Sequence, residues 1–374
     1  MASGLLLRGA LAGAAGDALL IEGRTITWVG SGRPPRLAED EIDAPPGGVI
    51  APGFIDLQVN GYAGYDVARG GEAIGAISLR LPATGVTSFL PTLVSSPLDV
   101  AAELVRAART VQSPGARVLG VHLEGPFLNP DFKGAHRREW LAPPAPANVD
   151  HVLRQPPRMM TIAPELPGAL EAVARLRRAR VIVSAGHTGA DYEQGVRGIN
   201  AGIRFGTHLY NAMRPFHHRS PGVAAALLAD PRVTVGLIAD GAHLHPAACE
   251  QTIRLKGWRR VTLTTDQTAA AGAGRGTYRL AGRAVSSDGE TVRTSDGTLA
   301  GSVATMDGLV RRVAGNPSIG RDKALAMASS VPARVLGDPC LGVLRAGAAA
   351  DVVVLDADLT VRMTLVGGVA VHTA

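Results

Sequence analysis

Eight short runs rich in Val, Ile and Leu follow residue 48, and each is separated from the next by a stretch with helical spacing. They are GVIAPGFIDLQVN (48–60), TSFLPTLV (87–94), VLGVHLEG (118–125), MTIAPE (160–165), VIVSAGHT (181–188), IRFGTHLYN (203–211), TVGLIADGAH (234–243) and VTLTTDQT (261–268). Between them lie Ala/Leu/Arg-rich segments such as DVAAELVRAARTV (99–111) and ALEAVARLRRAR (169–180). A strand followed by a helix, eight times over, is the pattern of an α/β protein with a (β/α)8 TIM barrel. A doubly wound sheet is the alternative, because strand order cannot be read from sequence. No glycine-rich dinucleotide fingerprint follows an early strand, which weighs against it. At 374 residues and 46% hydrophobic, the chain has ample material for one large core.

The two ends read differently. Residues 4–45 contain short strand-like runs (LLLRGAL, DALLIEG, TITWVG), and the tail repeats that character in GAAADVVVLDA and LTVRMTLVGGVAVHTA. A small β domain assembled from both termini is expected, from residues 1–50 and 344–374, around a barrel over 51–343. TYRLAGRAVSSDGETVRTSDGTL (277–299) reads as a hairpin insert, with turns at Asp288-Gly289 or Asp296-Gly297.

Polar residues collect at the C-terminal ends of the runs: Gln58 and Asn60, His122 and Glu124, His187, His208 and Asn211, His243, and Asp266. In a barrel those ends meet at one mouth, where barrel enzymes build their sites. Glu124, His187 and His208 would offer a divalent ion two imidazoles and a carboxylate, leaving a fourth position for water. Asp266 is placed to act as general acid/base, and His243 to polarise a carbonyl or hold an oxyanion. His122 is expected to stand behind the site. Two basic loops, MRPFHHRSPG (213–222) and DFKGAHRRE (131–139), suit a phosphate group.

HLEGPF, SAGHTGA, THLYNAM, GLIADGAH, TLTTDQTAA and TLAGSVATM, in this order, resemble the motifs of the N-acetylglucosamine-6-phosphate deacetylase family of the amidohydrolase superfamily. The tail GVLRAGAAADVVVLD resembles the segment that leads superfamily chains back into their small β-sandwich. The resemblance implies a metal-dependent hydrolysis of N-acetyl-D-glucosamine 6-phosphate to D-glucosamine 6-phosphate and acetate, in amino-sugar catabolism and cell-wall recycling. It implies metal ligation by Glu124, His187 and His208, catalysis by Asp266, and an acetyl contact from His243. It implies substrate contacts at Ala135, His136, Asn211, Ala212, Arg219, Asp240, Gly241, Ala242, Leu299, Ala300 and Gly301. It also implies a homodimer in which Arg219 or the 131–138 loop reaches the partner's phosphate site. Arg214, His217 and His218 make the loop after THLYNAM more basic than in many relatives, so the phosphate partner beside Arg219 stays open. Competing readings are a sister enzyme acting on N-acetylgalactosamine 6-phosphate or a cyclic amide, and a non-catalytic sugar-phosphate-binding protein.

Many superfamily members end the first strand in His-x-His and hold a second metal there; this chain has Gln58-Val59-Asn60. Neutral amides are poor ligands for a transition-metal dication. One metal per chain is therefore expected, zinc first, with cobalt, iron or manganese also suited to a His₂Glu set. Cys249 and Cys340 are the only cysteines and fit a reducing cytoplasm. No run reaches the ~18 apolar residues of a membrane span. The net charge of +6 comes from scattered arginines without a basic arm or aromatic stripe, so no nucleic-acid partner is expected.

Overall fold

A computed structural model describes residues 4–374. The eight apolar runs form eight parallel strands: β1 (Phe54–Val59), β2 (Val86–Val94), β3 (His122–Glu124), β4 (Met159–Ile162), β5 (Ile182–Ala185), β6 (Phe205–Gly206), β7 (Thr234–Leu237) and β8 (Val261–Leu263). Each pairs with its neighbour in chain order. The sheet closes where Val59 bridges Gln267, with Asp266 N–H donating to Gln58 O at 3.0 Å and Asn60 N–H to Gln267 O at 2.9 Å. The fold is a (β/α)8 barrel. Its strands read as unbroken apolar runs because helices cover their outer faces and side chains fill the interior.

The helices bury a single stripe. In Ala169–Arg178 the buried residues are Ala169, Ala172, Val173 and Leu176, the spacing of one helical face. Asp191 and Gln194 cap the following helix, Tyr192–Ala201, reciprocally. Two late helices, Arg321–Ala328 and Ser330–Leu336, cross the barrel's N-terminal end. There Ala333 and Leu336 pack with Ile55, Leu57, Leu90, Met159 and Phe205 and close that end with apolar side chains.

The chain ends build a small sandwich. One sheet orders Thr25–Gly30, Ala18–Glu22, Gly4–Arg8 and Asp40–Asp43. The other orders Ala10–Leu11, Val49–Pro52, Val352–Leu355, Val361–Val366 and Val369–Thr373. Strand alternation explains why VVVL has no polar face. Val352 and Val354 enter the sandwich core with Leu7, Leu19 and Ile21, while Val353 and Leu355 enter the barrel core with Phe54. The two cores are thus joined through the two sides of one strand.

A buried ion pair reinforces the joint. Asp351 is 3% exposed and pairs with Arg117 beside β2; it also accepts Gly367 N–H at 2.7 Å. Burial pushes the Asp351 carboxyl up, and Arg117 opposes that push. Arg117→Ala leaves the carboxylate without its cation. It is expected to cost about 3 kcal/mol of stability, measured by urea unfolding, whereas an unchanged midpoint would show that the pair contributes nothing.

Candidate active site

The C-terminal ends of β1, β3, β5, β6, β7 and β8 bring the candidate residues to one cavity of about 310 Å³. Its walls include Asn60, Glu124, Ala135, His136, His187, His208, Asn211, Ala212, His243, Asp266, Leu299 and Gly301. Local backbone geometry turns several of them inward. His187, His208 and Asp266 have φ of 50°, 29° and 50°, left-handed values that ordinary residues avoid. Each follows a barrel strand by two or three residues, where the chain bends from strand to loop. Gly301 sits against that bend. Its φ is +66°, and a Cβ there would lie 2.6 Å from Asp266 O.

Three donor atoms converge. Glu124 Oε1 lies 3.1 Å from His187 Nε2 and 2.8 Å from His208 Nε2, and the two Nε2 atoms are 3.1 Å apart. Ligands of one tetrahedral zinc, at about 2.0–2.1 Å from the metal, stand about 3.3 Å from each other. The donor set and its spacing therefore fit a single divalent ion. His187 Nδ1 donates to Phe132 O at 3.0 Å, which leaves Nε2 with its lone pair toward Glu124. Burial pushes the His187 ring down to about 4, with His136 next to it acting in the same direction. Burial alone would raise Glu124, but the surrounding imidazoles of His136, His187 and His208 outweigh it and hold the carboxyl well below its ordinary range.

His136 also belongs to a grouping with Glu124 and His187 whose candidate ligand atoms lie within 4.8 Å of one another. Its tautomer argues for a different role. Ser95 N–H donates to His136 Nδ1 at 3.0 Å, so a neutral ring carries its proton on Nε2. That nitrogen faces Glu124 Oε2 at 3.7 Å as a donor, without a free lone pair. His136 therefore suits contact with the carboxylate or a ligand, and His208 is the better third metal donor.

Gln58 and Asn60 are buried inside the barrel. Gln58 Nε2 donates to Glu124 Oε1 at 3.1 Å and to Asp266 Oδ1 at 2.9 Å; Asn60 Nδ2 donates to Asp266 Oδ1 at 2.7 Å. Their amide oxygens find no partner among the described residues. The two amides thus present N–H groups to two carboxylates. Asp266 is pushed up to about 7, first by burial and then by the Glu124 charge, against the pull of His208, His243 and Asn60.

His243 Nδ1 lies 2.8 Å from Asp240 Oδ2, while Asp240 Oδ1 accepts the N–H groups of Ala242 and His243. Burial would raise Asp240, but its bonds to His243 outweigh that and hold it low. Asp240, Gly241 and Ala242 line a neighbouring cavity of about 620 Å³ and not the main one. Ala300 is fully buried behind the wall. Arg219 is exposed beside His218 and does not line the cavity. In the 131–139 loop, Arg138 turns toward Asp131 and Arg137 lies over Trp140. His122 is wholly buried against Leu57 O and Thr161 Oγ1, away from the cavity.

Several contributors leave no trace in local sequence. Ser95 sets the His136 tautomer. Glu165 braces the turn after His187 by accepting Thr188 Oγ1–H and Gly189 N–H. Leu280, from the small sheet Gly276–Leu280, Arg283–Ser287 and Val292–Arg293, covers one side of the cavity.

A parallel barrel with a carboxylate and imidazoles converging at its mouth, and an acid facing them, defines the class of metal-dependent barrel hydrolases. The chain belongs to the amidohydrolase family, whose family model matches residues 49–371. It is 38% identical to the N-acetylglucosamine-6-phosphate deacetylase of Bos taurus, covering 89% of this chain and 85% of the relative. It is 39% identical to the N-acetylgalactosamine-6-phosphate deacetylase of Escherichia coli O157:H7, covering 86% and 87%. Among solved structures, an Asp-to-Ala mutant of N-acetyl-D-glucosamine-6-phosphate deacetylase from Mycobacterium smegmatis, in complex with N-acetyl-D-glucosamine-6-phosphate, superposes with a TM-score of 0.90. It shares 36% identity, with full coverage of both chains.

Proposed function

We propose that this chain removes acetate from N-acetyl-D-glucosamine 6-phosphate, leaving D-glucosamine 6-phosphate. The observation that carries the proposal is the convergence of Glu124, His187 and His208 opposite an amide-clamped Asp266. The deacetylase relatives described above support the substrate class.

Glu124, His187 and His208 would hold one divalent ion, zinc first among metals suited to this donor set. When bound, the ion acidifies water and polarises a carbonyl. Asp266 Oδ1 is occupied by Gln58 and Asn60, so the remaining oxygen takes the proton of the attacking water and returns it to the departing sugar amine. His243, with Nδ1 held by Asp240, supports negative charge on the acetyl oxygen from Nε2. Ala135, His136, Asn211, Ala212, Leu299 and Gly301 would embrace the sugar, with the Asp240–Ala242 turn and Ala300 supporting them.

Asn60→Leu tests the clamp. Removing a donor from the charged form of Asp266 costs that form about 1.5 kcal/mol, or about one pH unit. The base form works, so the acidic limb of the kcat–pH profile is expected to move up by about one unit. An unmoved limb would exclude the clamp from catalysis.

A galacto-epimer reading has its own support in the Escherichia coli relative. Acetate release measured side by side on the two acetamido sugar phosphates tests the choice. A higher kcat/KM for the gluco epimer is expected, and a galacto preference would reverse the assignment. We further propose a homodimer in a cytoplasmic setting. Phe216 is 58% exposed beside His217, His218 and Arg219, which suits burial against a partner copy whose phosphate site Arg219 then reaches. No described helix is long and apolar enough to cross a membrane.

A further inference from the structure

The barrel's other end carries a second concentration of charge. Four successive strands are each preceded, within two residues, by an arginine: Arg180 before β5, Arg204 before β6, Arg232 before β7 and Arg260 before β8. Parallel pairing sets the N-terminal ends of these four strands next to one another. Arg177 joins them from the helix Ala169–Arg178, and Arg334 from the helix Ser330–Leu336. Together the six line a cavity of about 340 Å³ whose floor includes Val181 and Val183, and no acidic side chain lines it.

Few of these charges are answered. Arg232 pairs with Asp230 at 2.6 Å. Arg204 donates to the carbonyls of Ile199 and Ile203, and Arg334 to Arg259 O, but carbonyls do not neutralise a cation. Among the described residues, Arg177, Arg180 and Arg260 make no side-chain hydrogen bond or ion pair. Lys256, behind Asp230, adds another positive charge. Burial lowers Arg204 from its ordinary value, and the charges of Arg177 and Arg232 lower it further. Gly202 seats Arg177 against the cavity, since a Cβ there would meet Arg177 Cδ at 2.7 Å.

Six guanidinium groups against one carboxylate leave about five unmatched charges. A single phosphate brings at most about −2, too little to balance them. Like charges gathered around one cavity repel one another, and a bound counter-ion relieves that repulsion. We propose that this cavity binds a small polyanion carrying two or more phosphate groups, at a site separate from the substrate's. The two sites lie at opposite ends of the same strands. The five steps from Ile182 to His187 span roughly 16 Å at strand rise. The cavity's size and apolar floor suit a small molecule better than a nucleic-acid backbone, which needs an open track.

Inorganic pyrophosphate without added magnesium, so that it keeps its full charge, is the probe, measured by calorimetry at 0.1 M salt against wild-type protein and the double variant Arg180→Gln/Arg260→Gln, with metal content checked before and after the titration. Neither arginine touches the candidate active site, and neither side chain makes a bond that the fold would miss. Acetate release and melting temperature of the variant therefore serve as folding controls. Wild type is expected to bind one equivalent saturably, and the double variant at least about tenfold more weakly. Should the double variant fail its controls, the exposed single change Arg177→Gln is expected to weaken binding several-fold. Unchanged binding in the variants would place the anion elsewhere and overturn the site, as would no saturable binding to wild type. Binding of a duplex oligonucleotide without binding of pyrophosphate would overturn it in favour of a nucleic-acid face.

Discussion

Asp266→Asn is expected to lower kcat by about 10²–10⁴-fold while leaving substrate affinity and metal content close to wild type. The substitution is nearly isosteric, and an amide oxygen can still accept from Gln58 Nε2 and Asn60 Nδ2, which lie 2.9 and 2.7 Å from the present Oδ1. What the amide cannot do is take a proton from water and hand it to an amine. The loss should therefore fall on kcat, with KM little changed. Steady-state acetate release with metal analysis of the same preparation checks this. A metal-replete variant turning over at near wild-type rate would remove Asp266 from the chemistry.

Glu124→Gln is expected to have an effect of a different kind. Glu124 Oε1 is the point on which both imidazoles and the Gln58 amide converge. Replacing the carboxylate by an amide removes the only anionic donor of the set, and Gln58 loses a charged acceptor. Loss of supporting groups behind a metal ligand typically costs 10–100-fold in affinity, so loss of the ligand itself should cost at least about 100-fold. Metal is expected to dialyse away, with acetate release falling to background and recovering only partly in excess zinc. Tight metal retention in Glu124→Gln protein would point to another donor set, of which Glu124's neighbour His136 is the first candidate.

The barrel was legible because parallel strands covered on both faces leave continuous apolar runs, and all eight runs coincide with barrel strands. The polar residues at their ends stood out for the same reason: each interrupts an apolar run at one place. Asp56, Gln58 and Asn60 fall at every second position of the first strand, the spacing of one face. In the structure every residue of Phe54–Val59 is buried, and the polar side chains point to partners inside the barrel. That two of them serve as donors to Glu124 and Asp266 was beyond the sequence, because those partners lie 66 and 208 residues away. Ser95 with His136, and Glu165 with Gly189, are long-range pairs of the same sort. Such contacts depend on how loops fold over the mouth and impose no periodicity on the chain. The six arginines were visible singly, but their union required the strand register.

The left-handed backbone at His187, His208 and Asp266 sets this chain's durability against its chemistry. Each such residue carries of order 1–3 kcal/mol of conformational strain, and glycine would relax all three positions. A population of variants screened for heat resistance alone, with no substrate supplied, should therefore drift toward glycine or asparagine at these places. Its hardiest survivors would be intact barrels that no longer release acetate. Any programme to toughen this scaffold must hold those three codons fixed and seek its gains at the barrel floor and the sandwich joint.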